Sequence, residues 1–189
     1  MMPAWVGVSM VQFACFMVFW AMNIWLIWKG IESIRVLEHI AAPFLLLCGL
    51  ALLAWAYQQA DGFGPMLMSD SRLSGSEFWA LFWPSLTAMV GFWATLTLNI
   101  SDFTRYAKDQ SSQVIGQLSG LPTTMTLFAF IGVAVTSATI VIFGEAIWDP
   151  VQLVQRFDSP LIVFFAMVAV VIATISTNAA ANVVGPANA

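Results

Sequence analysis

The richest chemistry in this chain is near its end, in VVIATISTNAAANVVGPANA. Seven residues there are polar or proline (Thr174, Ser176, Thr177, Asn178, Asn182, Pro186 and Asn188), interleaved with Ala and Gly. On a helix the Ala173 carbonyl and the Ser176 and Thr177 hydroxyls stand at i, i+3 and i+4, so one face presents three neutral oxygens. Hard cations take oxygen ligands; a monovalent ion such as sodium fits this set if another helix adds carbonyls. At about 100° per residue, Asn182 points about 140° away from Thr177. That separation predicts two adjacent sites, one for an ion and one for a small ligand. An amide offers donors and an acceptor, which matches the edge of a cyclic amide or pyrimidine. Asn178 and Asn182 could equally act as glue between helices, and the residues alone leave both readings open.

A second constellation lies in FWALFWPSLTAMVGFWATLTLNISDFTRYAK. Pro84 removes a helix hydrogen bond and Gly91 permits close approach, so 84 to 91 is a candidate helix break. Such breaks free backbone groups at the midplane of many transporters. Phe92 and Trp93 follow, with flat faces suited to stacking on a heteroaromatic ring. The alternative is a simple kink with rings that only pack. Asp102 and Arg105, three apart beyond Asn99, read as an ion pair at a membrane interface.

The remaining inventory excludes several classes. The single histidine, His39, reads as an interfacial residue, and no acid is expected at mid-membrane depth. No phosphate loop, Ser-His-Asp set or Cys-His metal spacing occurs, so an enzyme is not expected. Cys15 and Cys48 each sit in an apolar run and make no disulfide scaffold. A net charge of −4 without a basic patch leaves nucleic acid without a partner surface.

The elements that carry these residues follow from charge. Only 8% of the 189 residues are charged and 60% are hydrophobic, with a mean hydropathy of +0.87, whereas a soluble domain is roughly 25% charged. Residues 1–28, 39–60, 78–101, 110–144 and 159–189 carry no Asp, Glu, Lys or Arg. Each stretch exceeds the roughly 20 residues that cross a bilayer core, and none alternates as a barrel strand would. The expected fold is therefore an all-α integral membrane protein with five transmembrane helices near 5–28, 38–60, 78–99, 121–143 and 160–184.

Lys29, Arg35, Arg105 and Lys108 lie in the first and third connections, against Arg72 and Arg156 in the second and fourth. The positive-inside rule then places the first and third in the cytoplasm and the amino terminus outside. Trp5, Trp28, Trp55, Tyr57, Trp79, Trp83, Tyr106 and Trp148 fall near span ends as an aromatic belt, while Trp20, Trp25 and Trp93 lie deeper. The opening MMPAWVG lacks a signal-peptide pattern, and ANVVGPANA adds no polar tail. The expectation is one partial transmembrane domain over 1–189, within a longer protein.

GFWATLTLNISDFTRYAK (91–108) and ATISTNAAANVVGPAN (173–188) closely resemble signature stretches of the nucleobase:cation symporter-1 family, permeases for cytosine, purines, uracil, thiamine, allantoin and hydantoins. WKGIESIRVLEHIAAPFLLL (28–47) is similar to that family's junction between helices four and five. The resemblance implies helices four to eight of a twelve-helix, leucine-transporter-like inverted repeat in the plasma (inner) membrane. It implies sodium ligands at the Ala173 carbonyl, Ser176 and Thr177, and substrate-pocket amides at Asn178 and Asn182. It further implies a main-chain contact at Gly91, an aromatic platform at Phe92 with Trp93 following directly, and a pocket-lining Ala94.

The expected activity is symport of a nucleobase, allantoin or hydantoin with sodium or a proton and no organic cofactor. The partners would be lipid and the absent helices of the same transporter. A channel would need a continuous polar stripe, which AAPFLLLCGLALLAWA does not offer. A purely structural membrane subunit is the other alternative.

Overall fold

The structure is a computed structural model that describes residues 7–68, 73–98 and 100–183. Every regular element among them is a helix. In chain order these are α1 (Met10–Lys29), α2 (Ile31–Gln59), α3 (Phe63–Leu67), α4 (Gly75–Leu98), α5 (Ile100–Thr104), α6 (Gln110–Phe143), α7 (Pro150–Val154) and α8 (Pro160–Asn178). The last continues as a π-helical turn, Ala179–Val183. Among the described residues, four helices are long and apolar enough to cross a membrane: Met10–Lys29, Glu32–Gln59, Gln110–Phe143 and Pro160–Val183. The expected third span falls on α4, whose described portion is diluted by Ser76, Glu77, Pro84, Ser85 and Thr87 and is not among the four.

Helix ends differ from those expected because a charge-free run marks apolar length, not helical length. Ser9 caps α1, its hydroxyl accepting from the Gln12 N–H at 3.2 Å while the Gln12 side chain accepts from the Ser9 N–H at 2.8 Å. This reciprocal pair sets the start. Residues 29–37, expected as a connection, are interrupted only at Gly30, whose φ of 82° closes α1 before α2 begins. α6 starts at Gln110, not near 121, because Asp109 caps it: its carboxylate accepts from the Ser112 N–H at 2.7 Å and hydroxyl at 2.9 Å. Thirty-four residues at 1.5 Å each give about 51 Å, well beyond a core of about 30 Å, so part of α6 stands outside the hydrocarbon.

The expected break at 84–91 is absent. α4 runs unbroken through Pro84 and Gly91, and the Thr87 hydroxyl donates to the Trp83 carbonyl at 2.9 Å in the turn that holds the proline. Asn99 lies outside the described residues. The Asp102–Arg105 pair does form, at 3.0 Å.

The chain divides into two compact units, residues 1–42 with 172–189, and residues 43–171. In the larger unit, Ile131, Ala134, Val135 and Ala138 form one stripe of α6 and meet Ala56 and Ala60 of α2 and Met66 of α3. Lipid offers no hydrophobic drive between helices, so close approach through small side chains supplies the attraction. Gly49 shows how tight this is, since a Cβ there would sit 3.3 Å from both Ile131 and Phe128. Fully buried Thr139 donates to the Thr136 carbonyl at 2.7 Å and accepts the Ile147 N–H at 2.9 Å. That bond anchors the loop leading to α7, whose cap is Asp149. Trp55 meets Phe157 edge to face at 4.8 Å, and Arg156 pairs with Glu145.

Candidate functional site

In the smaller unit, α1 buries Asn23 and Leu26 on one face, while the end of α8 and its π-helical turn bury Ile175, Ser176 and Ala179. A π-helical turn closes i→i+5 bonds, so it rotates less per residue than an α-helix. Past Asn178 the 100° spacing therefore lapses, which corrects the angle expected between Thr177 and Asn182. Asn182 stands four residues after Asn178, a spacing that already sets two side chains on one helical face, and its Nδ2 donates to the Asn178 Oδ1 at 2.9 Å. The Asn178 Nδ2 in turn donates to the Asn23 Oδ1 at 3.0 Å. Asn23 completes the series by donating Nδ2 to the Phe19 carbonyl at 2.9 Å. Asn178 is thus a link between helices, and Asn182 extends that link to an exposed position.

Two residues before Asn178, the Ser176 hydroxyl donates to the Glu38 Oε1 of α2 at 2.7 Å. An acid therefore reaches the face on which only neutral oxygens were expected. Ser176 is 8% exposed, Glu38 and Ala173 are half-buried, and Thr177 is exposed. With its hydrogen committed to Glu38, Ser176 keeps lone pairs as what it can offer a cation. The carboxylate adds the negative charge that three neutral oxygens lack. The chemistry of Ala173, Ser176, Thr177 and Glu38 fits a hard monovalent cation, which favours oxygen ligands.

Asn23 and Glu38 were missed by sequence reasoning, although each leaves a trace. Asn23 is a lone amide inside FACFMVFWAMNIWLIW, where a polar side chain is costly unless it meets protein or water. Glu38 stands at i+4 from buried Ile34 and i−3 from buried Ala41, which puts its carboxylate on an inward stripe.

Gly91, Phe92, Trp93 and Ala94 belong to α4 of the larger unit, where all four are exposed. A Cβ on Gly91 would meet nothing within 4 Å. Phe92 is 70% exposed and Trp93 36%, and their rings meet edge to face at 5.4 Å and 88°. The two faces consequently point in different directions, and Phe92 offers the freer one. A cavity of about 460 Å³ in this unit, lined by Cys48, Leu52, Trp55, Phe157 and Phe165 among others, includes none of the candidate site residues. Among the described residues no group of three or more His, Cys, Asp or Glu could hold a metal.

A family model described as permease for cytosine/purines, uracil, thiamine, allantoin matches residues 1–189. The chain is 50% identical over 185 residues to the purine-uracil permease NCS1 of Arabidopsis thaliana, covering 98% of this chain and 31% of the relative. It is 41% identical over 184 residues to the allantoin permease of Bacillus subtilis, covering 96% and 37%. A uracil permease of Saccharomyces cerevisiae is 29% identical over 147 residues, covering 77% and 23%. The chain thus spans between 23% and 37% of the length of these curated relatives. No solved structure matches it significantly. Apolar helices and permease relatives together describe a multi-pass membrane protein of a transporter, not an enzyme, lineage. From the match along its whole length, the chain belongs to the family of permeases for cytosine, purines, uracil, thiamine and allantoin.

Proposed function

We propose that the chain supplies five crossings of a secondary active transporter that imports a nucleobase or related cyclic amide with a cation. The observation that carries this reading is the amide series Asn23–Asn178–Asn182, whose middle member stands two residues after Ser176 and its bond to Glu38. Amides suited to a neutral heterocycle and oxygens suited to a cation adjoin on one helix end. The names of the relatives point to purines, uracil and allantoin as the rings to test first. Sodium, or a proton in its place, would occupy the Ala173, Ser176 and Thr177 oxygens. Substrate would engage Asn182 and Asn178; on α4, Phe92 or Trp93 would supply a stacking face, with Gly91 and Ala94 as its neighbours along that helix. A leucine-transporter-like inverted repeat completed by further helices would enclose both ligands. Coupling requires that the cation bind one conformational state better than the other.

The test is radiolabelled uptake of uracil, a purine, allantoin and a hydantoin by the protein expressed from the whole reading frame that encodes this chain, with and without sodium. Saturable uptake of one ring, steepened by sodium or by an inward proton gradient, is expected. Absence of saturable uptake for all four rings refutes the reading; uptake indifferent to both ions refutes the coupling.

A further inference from the structure

We infer that Asn23 is a positioning residue whose bond to the Phe19 carbonyl sets the direction of the whole amide series, so that Asn182 presents its carbonyl oxygen to the ligand. The inference rests on the Proposed function for the presence of a ligand at Asn182. Amide oxygen and nitrogen are nearly equal in shape, and only the hydrogen-bond network decides which way each side chain points. Here the network has a fixed root. A backbone carbonyl can only accept, so Asn23 must turn its NH₂ toward Phe19, 2.9 Å away. Its Oδ1 then faces Asn178, which must answer with NH₂ at 3.0 Å. The Asn178 Oδ1 is left for Asn182, whose NH₂ lies at 2.9 Å.

Each amide thereby inherits its orientation from the one before, and flipping any of them would set oxygen against oxygen or NH₂ against NH₂. Asn23 is 8% exposed, so water has little access to rescue a flipped state. At the free end Asn182 retains its Oδ1 and one N–H. Such an end selects rings that bring an N–H donor to the Asn182 oxygen, with a neighbouring carbonyl for the remaining N–H. The ring class is a cyclic amide, imide or ureide with an unsubstituted N–H beside a carbonyl; N-alkylation removes the donor.

The experiment compares wild type, Asn23→Leu, Asn23→Ser and Asn182→Ala, each expressed from the whole reading frame and normalised to membrane abundance. KM and Vmax are measured for the ring that is carried, with its N-methyl analogue as competitor. Asn23→Leu is expected to raise KM about tenfold at unchanged Vmax and to cut the preference for the N–H ring over its N-methyl analogue at least threefold. Asn23→Ser is expected to restore both toward wild type, since a hydroxyl can donate to the i−4 carbonyl and still accept from Asn178. If Asn23→Leu does not reach the membrane, Asn23→Thr and Asn23→Ala take the parts of Ser and Leu. Unchanged KM and unchanged preference in Asn23→Leu, with Asn182→Ala still impaired, would overturn the inference and leave the Proposed function standing. Normal KM in Asn182→Ala would overturn the inference together with the substrate role of Asn182 while leaving transport standing; no uptake of any ring by wild type would overturn both the inference and the Proposed function.

Discussion

At the residue scale, the most consequential contact is the one between Ser176 and Glu38, because it brings a carboxylate to a set of oxygens otherwise neutral. Under the proposed sodium coupling a carboxylate beside the cation favours its binding, so Glu38→Ala should raise the sodium concentration for half-maximal uptake about tenfold, a cost of about 1.4 kcal/mol. Sodium titration of initial uptake rates measures it, and an unchanged half-saturation would remove Glu38 from the cation site. Asn182→Ala should raise KM for the carried ring by about tenfold, the loss of its proposed hydrogen-bond pair to the ring at about 1.4 kcal/mol. Asn178→Ala should cost more, because it also removes the side-chain bond between α8 and α1 and leaves the Asn23 Oδ1 without its donor.

At the element scale, caps and loops show which parts of the helices lean on one side chain. Thr139→Val preserves shape but leaves the Ile147 N–H without an acceptor in a buried position. An unsatisfied buried donor costs about 1–3 kcal/mol, and denaturation in detergent should register a loss of that order. Exposed Asp109 acts differently. The Ser112 backbone N–H, and after it the Ser112 hydroxyl, hold its carboxyl below the usual carboxylate range. A group lowered on folding stabilises above its unfolded pKa, and that stabilisation fades as pH falls through the lowered value. The protection factors of amides in the first turn of α6, hydrogen-exchange rates corrected for their intrinsic pH dependence, should therefore fall on acidification in wild type. Asp109→Asn, which keeps a good cap without a titrating group, should remove that pH dependence.

At the scale of the whole molecule, orientation is the property most open to a direct check. Lys29, Arg35, Arg105 and Lys108 place two connections on the cytoplasmic side by the positive-inside rule. With Cys15 and Cys48 replaced by Ser, single cysteines at Lys108 and at Trp148 should label from opposite faces with an impermeant maleimide. Lys108→Cys should react only in opened cells and Trp148→Cys, 80% exposed, in intact ones; the reverse pattern would invert the topology. The larger unit carries much of its apolar surface outward, Phe92, Trp148, Leu161 and Phe164 included. That is natural for surface that meets lipid or further helices.

The sequence by itself determined the solvent, the helical class, the approximate place of each long helix and the family. Each follows from one-dimensional quantities: charge-free length, backbone satisfaction in hydrocarbon and local motif. Ser176, Thr177, Asn178 and Asn182 stand out in the sequence as polar residues in an apolar run, with Ala173 one turn before Thr177 offering only its backbone carbonyl. Only the tertiary structure decided that α4 passes through Pro84 unbroken, that α6 begins eleven residues early at a capping aspartate, and that a π-helical turn follows Asn178. It alone supplied Asn23 and Glu38, which stand 155 and 138 residues from their partners. Periodicity reports which face of a helix is polar, but not which distant side chain meets it; that is set by helix packing, where close approach selects one pairing among many.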